Sequence, residues 1–179
     1  MPSYRTGLAA LSMVLAGTFL TACNEPQTAA RATESPTAAA VQQADTDAAR
    51  LQVYKSPTCG CCVDWIEHVE HAGFHSEPRH PDNLTQLKLE MGLAGQYHSC
   101  HTAVSEQGYL FEGHVPAKLM QRFLEQPPEG ALGLAVPGMP MGSPGMEVDD
   151  RFDPYDVLLV KKDGSYEVYA RIERQAEQY

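Results

Sequence analysis

The sequence predicts an α/β fold in which one sheet is flanked by helices, and three observations support this prediction. Segments that alternate apolar and polar residues are interspersed with segments whose apolar residues recur at helical spacing. Turn residues separate these segments at short intervals. Residues 51–179 are numerous enough to form one domain with a substantial core.

The first strand and the first helix have the clearest patterns. Residues 51–55 alternate in polarity and are followed by Ser56-Pro57, which is typical of a strand that ends in a turn. A cysteine-rich turn comes next, and apolar residues then recur at helical spacing from Trp65 until Gly73, a residue type that commonly ends helices. The cysteines are therefore predicted to lie at a strand-to-helix turn.

The remaining elements follow in an order that is typical of a thioredoxin-like sheet. They are predicted as a strand at 74–77, a helix at 84–91, a pair of strands at 102–111 and a helix at 115–126. In that fold the first strand-to-helix turn carries the chemistry. Residues 127–148 are predicted to form a long irregular loop rich in Gly, Pro and Met. A C-terminal β-hairpin at 155–160 and 166–171 is expected to extend the sheet.

The N-terminal region is predicted to lie outside the fold. Residues 1–22 have a positive charge at Arg5, then a short apolar stretch and small residues before Cys23, which is the pattern of a lipoprotein signal peptide. The stretch is shorter than the roughly 20 apolar residues that span a bilayer. We expect lipidation of Cys23, a disordered tether at 23–50 and a periplasm-facing domain at 51–179. An ordinary secretory signal with cleavage nearby is the alternative.

The charge of the chain bears on its partners and its location. The formal net charge is -10, and it becomes -11 when residues 1–22, with Arg5, are removed. Such an acidic protein is not expected to bind nucleic acid or an anionic membrane surface. We therefore expect contact with the membrane through the lipid anchor only. Asn24 in place of Asp after the cysteine favours the outer membrane over the inner one.

Four cysteines of the predicted domain form a candidate metal site. Cys59 and Cys62 have C-x-x-C spacing at the start of a predicted helix, where backbone amides stabilise thiolate, and Cys61 adds a third sulfur. Cys100 precedes the third predicted strand, a position that faces the first strand-to-helix turn in a thioredoxin-like arrangement. Because soft thiolates select copper(I), we predict that these cysteines bind copper(I), with several ions per chain.

Three other interpretations of the cysteines remain open. In an oxidising compartment four cysteines are often paired in two disulfides, here Cys59 with Cys62 and Cys61 with Cys100, or the reverse. A structural zinc site usually takes two separated pairs of ligands, which this arrangement lacks. A C-x-x-C turn on this fold is also the motif of thiol-disulfide oxidoreductases, although a third thiolate in the turn would divert the mixed disulfide.

Further soft or nitrogen donors occur along the chain. Thioethers that could bind copper(I) lie in the Gly/Pro-rich loop, at Met139, Met141 and Met146. For each methionine alone, filling of a gap beneath the loop is the simpler explanation. The histidines nearest to Cys100 or to a strand end are His98, His101 and His114. Of these we take His101 and His114 as candidate ligands, with hydrogen bonding in the core as the alternative.

Five separated sequence blocks resemble those of one protein family. The blocks are residues 54–62, 99–103, 112–117, 133–140 and 142–147. In sequence and order they are similar to the CopG-like family of periplasmic copper-resistance proteins, over about residues 51–170. The resemblance implies a thioredoxin-like fold and a copper site that is built from Cys59, Cys61, Cys62 and Cys100.

Together these observations predict a copper(I)-binding protein of copper resistance or homeostasis. The cysteine cluster would sequester copper, transfer it or change its oxidation state, and other periplasmic copper-handling proteins would be its partners. We expect a metal-binding protein rather than an enzyme. The competing hypothesis is a thiol-disulfide oxidoreductase of the thioredoxin-like type.

Overall fold

The computed structural model describes residues 49–179. The predicted signal peptide, the lipidation of Cys23 and nearly all of the predicted tether lie outside the described residues and stay predictions. Within the described part, no helix combines the length and the apolar character needed to cross a membrane.

The described residues form a seven-stranded sheet with three α-helices. The strands are β1 (Arg50–Lys55), β2 (His75–Arg79), β3 (His101–Ser105), β4 (Leu110–Glu112), β5 (Ala131–Ala135), β6 (Tyr155–Lys161) and β7 (Tyr166–Ile172). The helices are α1 (Gly60–His71), α2 (Leu84–Glu90) and α3 (Ala117–Glu125), and short 3-10 helices lie at Gly95–Tyr97 and Gln175–Gln178.

The sheet order is β2-β1-β3-β4-β5-β6-β7. Strand β1 runs parallel to β2 and antiparallel to β3, and β4 runs antiparallel to β3. The α/β fold is therefore confirmed, and its first four strands have the order and directions expected of a thioredoxin-like sheet. The crossover from β1 to β2 is helix α1, as a parallel connection requires.

Helix α1 forms because one of its faces is apolar. Trp65, Ile66 and Val69 on that face are buried in the main core, together with Phe111 of β4. The helix ends at His71, and Gly73, the predicted stop residue, follows with a φ of +94° and donates its N–H to the carbonyl of Glu70. Burial of the apolar face fixes the orientation of the helix, and with it the position of the cysteine turn at its start.

The prediction of an unbroken irregular loop over residues 127–148 is wrong at β5. Residues 131–135 form a strand between β4 and β6, parallel to the first and antiparallel to the second. The sequence Ala-Leu-Gly-Leu-Ala does not alternate apolar and polar residues, because this strand is covered on both faces, as parallel strands commonly are. The irregular loop itself lies between β5 and β6.

The C-terminal hairpin is confirmed. Strands β6 and β7 pair antiparallel, and the turn between them contains Gly164 with a φ of +84°. The carboxylate of Asp163 accepts a hydrogen bond from the backbone N–H of Ser165 at 2.9 Å, which closes the turn. This hairpin places β7 at one edge of the sheet, as predicted.

Candidate metal centre

The pairing of β1 with β3 brings the distant cysteine to the other three. In this antiparallel pair Tyr54 lies opposite Thr102, and Lys55 opposite His101. The chain leaves β1 after Lys55 and enters β3 just before His101, so the two connecting segments meet at the same end of the sheet. The first segment carries the C-x-C-C turn, and the second carries Cys100.

The four cysteine sulfurs lie together at this end of the sheet. The Sγ atoms of Cys59, Cys61, Cys62 and Cys100 are all within 4.8 Å of one another. Cys59 precedes the first residue of α1, and its Sγ is 3.6 Å from that of Cys61. Cys62 is fully buried, whereas the other three cysteines are partly exposed. A metal ion could therefore reach the cluster from solvent.

The oxidation state differs from the expected four thiolates. Cys59 and Cys62 form a disulfide with a Cα–Cα distance of 5.4 Å, within the usual range for such bonds. Cys61 and Cys100 are free thiols. The structure therefore contains one of the two bridges that the sequence left open, and it leaves two sulfurs available as thiols.

Cys100 also belongs to a second group of donors. Its Sγ lies 3.2 Å from Nδ1 of His101 and 3.1 Å from Nε2 of His114. Both histidines are fully buried. The cluster of four sulfurs and the group of Cys100, His101 and His114 thus share one atom, and together they form a continuous set of sulfur and imidazole donors.

The hydrogen bonds of His114 fix its tautomer. Nδ1 lies 2.8 Å from the carbonyl oxygen of Pro144, which can only accept, so Nδ1 carries the proton. In the neutral ring Nε2 is then unprotonated, and its lone pair points toward Cys100. Burial lowers the pKa of His114, partly opposed by the Pro144 hydrogen bond and by Glu147. The ring is therefore held in the form that binds metal.

His101 is the more deeply buried imidazole. Burial lowers its pKa well below the usual value, and the positive charges of Lys88 and Lys55 act in the same direction. Its Nε2 is buried without a hydrogen-bond partner among the described residues. Its ring lies 4.4 Å from that of Trp65, measured between centroids. His101 is thus neutral and held by packing.

The thiol of Cys100 is protonated in the metal-free protein. Burial and the neighbouring Cys61 raise its pKa to about 12, against a smaller opposing effect of the Ser99 hydroxyl. The S–H group can donate to an unprotonated nitrogen of either imidazole. Binding of a metal would replace this proton, since the thiolate is the form that coordinates metal.

Gly113 allows His114 to reach Cys100. It has a φ of +70°, and a Cβ atom at this position would lie 2.6 Å from the side chain of Ser99 and from the carbonyl of Val136. Its N–H donates to the carbonyl of His101 at 2.9 Å. A larger residue would push the segment after β4 away from the loop that carries Cys100.

The Gly/Pro/Met-rich loop packs against the site. A Cβ atom on Gly145 would lie 2.7 Å from the carbonyl of Cys61, which shows how closely the loop approaches the first turn of α1. Within this loop Met139 is 54% exposed, whereas Met141 and Met146 are partly buried. Their role as ligands stays a prediction. His98 is directed elsewhere, since its Nε2 lies 3.0 Å from the carbonyl of Leu93.

Two supports of the site were not identified from the sequence. Trp65 donates its indole N–H to the carbonyl of Val115 at 3.0 Å, and so ties α1 to the segment that carries His114. The backbone carbonyl of Pro144 orients His114 itself. The single tryptophan of the chain, three residues after Cys62, was a signal for the first of these. A backbone carbonyl in an irregular loop leaves no signal in the sequence.

Comparison with known proteins places the chain in a family. Residues 97–146 match a family described as "Protein of unknown function, DUF411". No curated protein matches the chain. Two solved structures of "Copper resistance protein copG" are similar to it. Form 1 is 39% identical with a TM-score of 0.64, and the match covers 69% of this chain and 96% of that one.

Form 2 of the same protein gives nearly the same result. It is 38% identical with a TM-score of 0.66, and the match covers 70% of this chain and 99% of that one. The similarity thus extends over almost the whole length of both solved chains. It is accompanied by a cluster of cysteines that can hold a metal ion. The chain belongs to the CopG-like family of copper-resistance proteins.

Proposed function

We propose that this protein binds copper(I) in copper resistance, and that copper is its cargo. The observation that carries the proposal is the convergence of four sulfurs within 4.8 Å of one another, with Cys100 shared between them and two buried imidazoles. Thiolate and neutral imidazole are ligands that suit copper(I), and harder cations prefer oxygen. The similarity to proteins named for copper resistance supports the same assignment.

Full use of the four sulfurs requires reduction of the Cys59–Cys62 disulfide. A thiol reductant would supply two electrons and two protons, which breaks the S–S bond and leaves two thiols while the reductant becomes a disulfide. Of these four cysteines, Cys61 and Cys100 remain as thiols in the oxidised state. Several copper ions per chain are therefore a property of the reduced protein, in which neighbouring thiolates can bridge ions.

The proposal includes a location and partners. The lipoprotein pattern before Cys23 supports a periplasm-facing protein that is anchored in a membrane, the outer one in our proposal. Cargo would then be exchanged with other copper-handling proteins of the periplasm. The partial exposure of Cys61 and Cys100 suits such exchange, because a second protein's ligands can approach them.

A titration with copper(I) tests the proposal. Reduced protein is titrated without oxygen in competition with a copper(I) chelator, and copper per chain is measured together with affinity. We expect copper to be retained by the wild type and much of it to be lost in Cys61→Ser and Cys100→Ser. Val63→Ser, at an exposed position of the same helix, is the matched control and should bind as the wild type does. Wild-type protein that retains no copper would refute the proposal.

The Cys59–Cys62 disulfide favours a second candidate function, that of a thiol-disulfide oxidoreductase. In that reaction a thiolate of a reduced substrate would attack the disulfide, form a mixed disulfide with one cysteine and release the other as a thiolate. The same exchange in reverse would reduce a disulfide substrate. An assay for reduction of a test disulfide by the reduced protein therefore separates the two functions. Turnover that needs Cys59 and Cys62 and survives Cys61→Ser would support the oxidoreductase. Copper binding that depends on Cys61, without such turnover, would support the metal site.

A further inference from the structure

Helix α2 buries a lysine more completely than any of its leucines. Lys88 is the buried side chain of this helix and is 2% exposed, whereas Leu89 beside it is 48% exposed. Lysine is seldom fully buried unless it is paired. The partner is Glu112 at the end of β4, whose side chain is 0% exposed and whose carboxylate lies 2.5 Å from the ammonium of Lys88.

This ion pair holds the backbone on both sides of Ser99. The carboxylate of Glu112 accepts a hydrogen bond from the backbone N–H of Ser99 at 2.5 Å. The ammonium of Lys88 donates to the carbonyl oxygen of the same residue at 2.8 Å. That carbonyl belongs to the peptide bond that joins Ser99 to Cys100. The two charges thus fix the two peptide groups that immediately precede the sulfur-bearing residue.

The other contacts of Glu112 complete this arrangement. The hydroxyl of Thr102 donates to its second carboxylate oxygen. Ser99 and Thr102 lie on either side of the segment that contains Cys100 and His101. One carboxylate therefore holds both ends of the segment that carries two candidate ligands.

Stability alone is a weak reason for such a pair. Burial of two charges is costly, and apolar residues of similar volume often stabilise a protein at least as well. The carboxylate and the ammonium nevertheless have a use that apolar residues could not replace, because they bind one backbone N–H and one backbone C=O. The loop before Cys100 lies between a 3-10 helix and β3, so the backbone N–H and C=O of Ser99 are not paired within a helix or a strand.

We infer that Lys88 and Glu112 are positioning residues for the metal site, which hold Cys100 at the distance from the C-x-C-C turn and from His114 that ligation requires. The inference deepens the proposed function and rests on it. Groups that orient metal ligands without touching the metal typically change metal affinity by about 10- to 100-fold when they are replaced.

The test uses variants that avoid an unpaired buried charge. Lys88→Met combined with Glu112→Gln removes both charges and keeps similar side-chain shapes. Thr102→Val keeps the ion pair and removes one hydrogen bond to it. Leu159→Ala, in the buried core of β6, is the control for loss of stability alone. Each full-length protein is first shown to be folded by circular dichroism.

Two measurements are made on the folded proteins. The first is copper(I) affinity in competition with a chelator, which we expect to fall about tenfold or more in the double variant and to stay at the wild-type value in Leu159→Ala. The second is the rate at which iodoacetamide alkylates Cys100 in reduced, copper-free protein, measured by peptide mass spectrometry. We expect this rate to rise several-fold in the double variant and less in Thr102→Val.

The outcomes separate this inference from the proposed function. Folded variants that keep the wild-type affinity and the wild-type alkylation rate would overturn the positioning role. Wild-type protein that fails to bind copper(I) would refute the proposed function, and the alkylation rates would still decide whether the pair positions Cys100. If the double variant does not fold, Thr102→Val decides, and an unchanged alkylation rate in it counts against the inference.

Discussion

The two buried histidines beside Cys100 use their ring nitrogens differently. The proton of His114 is fixed on Nδ1 by a carbonyl, so its Nε2 is committed as an acceptor or a ligand. His101 directs Nδ1 to Cys100 and leaves Nε2 without a protein partner. His114 is therefore the better preorganised candidate ligand, because less freedom would be lost if it bound a metal.

Replacement of His114 tests this assignment at the level of one residue. We expect His114→Gln to lower copper(I) affinity by about 10- to 100-fold, since a side-chain amide is a poor ligand for this ion. The exposed His71 provides the matched control, His71→Gln, which should leave the affinity unchanged. Competition with a chelator measures both. Equal affinities for the two variants would remove His114 from the site.

The environment of His68 indicates how the stability of the fold depends on pH. Its Nε2 accepts the backbone N–H of Ala117, the first residue of α3, at 3.0 Å, and only the unprotonated ring can do so. Burial lowers the pKa of His68, against a smaller opposing effect of Glu147. The unfolded chain therefore binds more protons as the pH falls through about 6.5, and stability contributed by the neutral ring is lost on acidification.

Urea unfolding at about pH 7.5 and about pH 5.5 checks this sign. We expect the wild type to be less stable at the lower pH, and His68→Gln to lose less stability between the two. Part of the dependence should remain in that variant, because burial also lowers the pKa of His101 and His114. Exposed His75 gives the control His75→Gln, with the wild-type dependence. A wild type that gains stability at the lower pH would contradict the argument.

Among the elements, β5 shows how closely the strands approach each other. A Cβ atom on Gly133 would lie 1.8 Å from the backbone carbonyl oxygen of Leu110, its partner in β4. No residue with a Cβ atom fits there unless the two strands separate. We expect Gly133→Ala to destabilise the fold by about 3 kcal/mol or more, at the upper end of single-residue effects.

Thermal unfolding compares this variant with a harmless one. Gly95 has open space around it and no positive φ, so Gly95→Ala should leave the melting temperature close to that of the wild type. Gly133→Ala should melt much lower or fail to fold. If the two alanine variants melt together, the close approach of β4 and β5 is not a constraint on the protein.

The elements also show what could be predicted from the sequence. Strand β1, helix α1 and the hairpin of β6 and β7 were predicted because apolar periodicity and turn residues are local signals. The meeting of Cys100 with the cysteine turn followed from fold topology. Strand β5 was missed because a short strand that is buried on both faces has no alternation. The pair of Lys88 and Glu112 was missed because charged residues far apart in sequence give no sign of being buried together.

At the scale of the whole molecule, the proposed lipid anchor would determine where the proposed copper site works. Residues 1–22 and Cys23 have the pattern of a lipoprotein signal and its acylation site, so the thiol of Cys23 should carry the lipid and not a metal. A tether of some 25 residues between Cys23 and the domain would let the copper site move about 25 to 30 Å from the membrane surface. Exchange with other periplasmic proteins would then need no movement of the anchor.

Metabolic labelling with a radioactive fatty acid tests this prediction on the full-length chain. We expect the wild type to be labelled and to sediment with membranes after cell disruption. Cys23→Ser should lose the label, because acylation needs this thiol. Cys61→Ser keeps Cys23 and removes a different thiol, so it should be labelled like the wild type. Label that persists in Cys23→Ser would show that the lipid is attached to a residue other than Cys23.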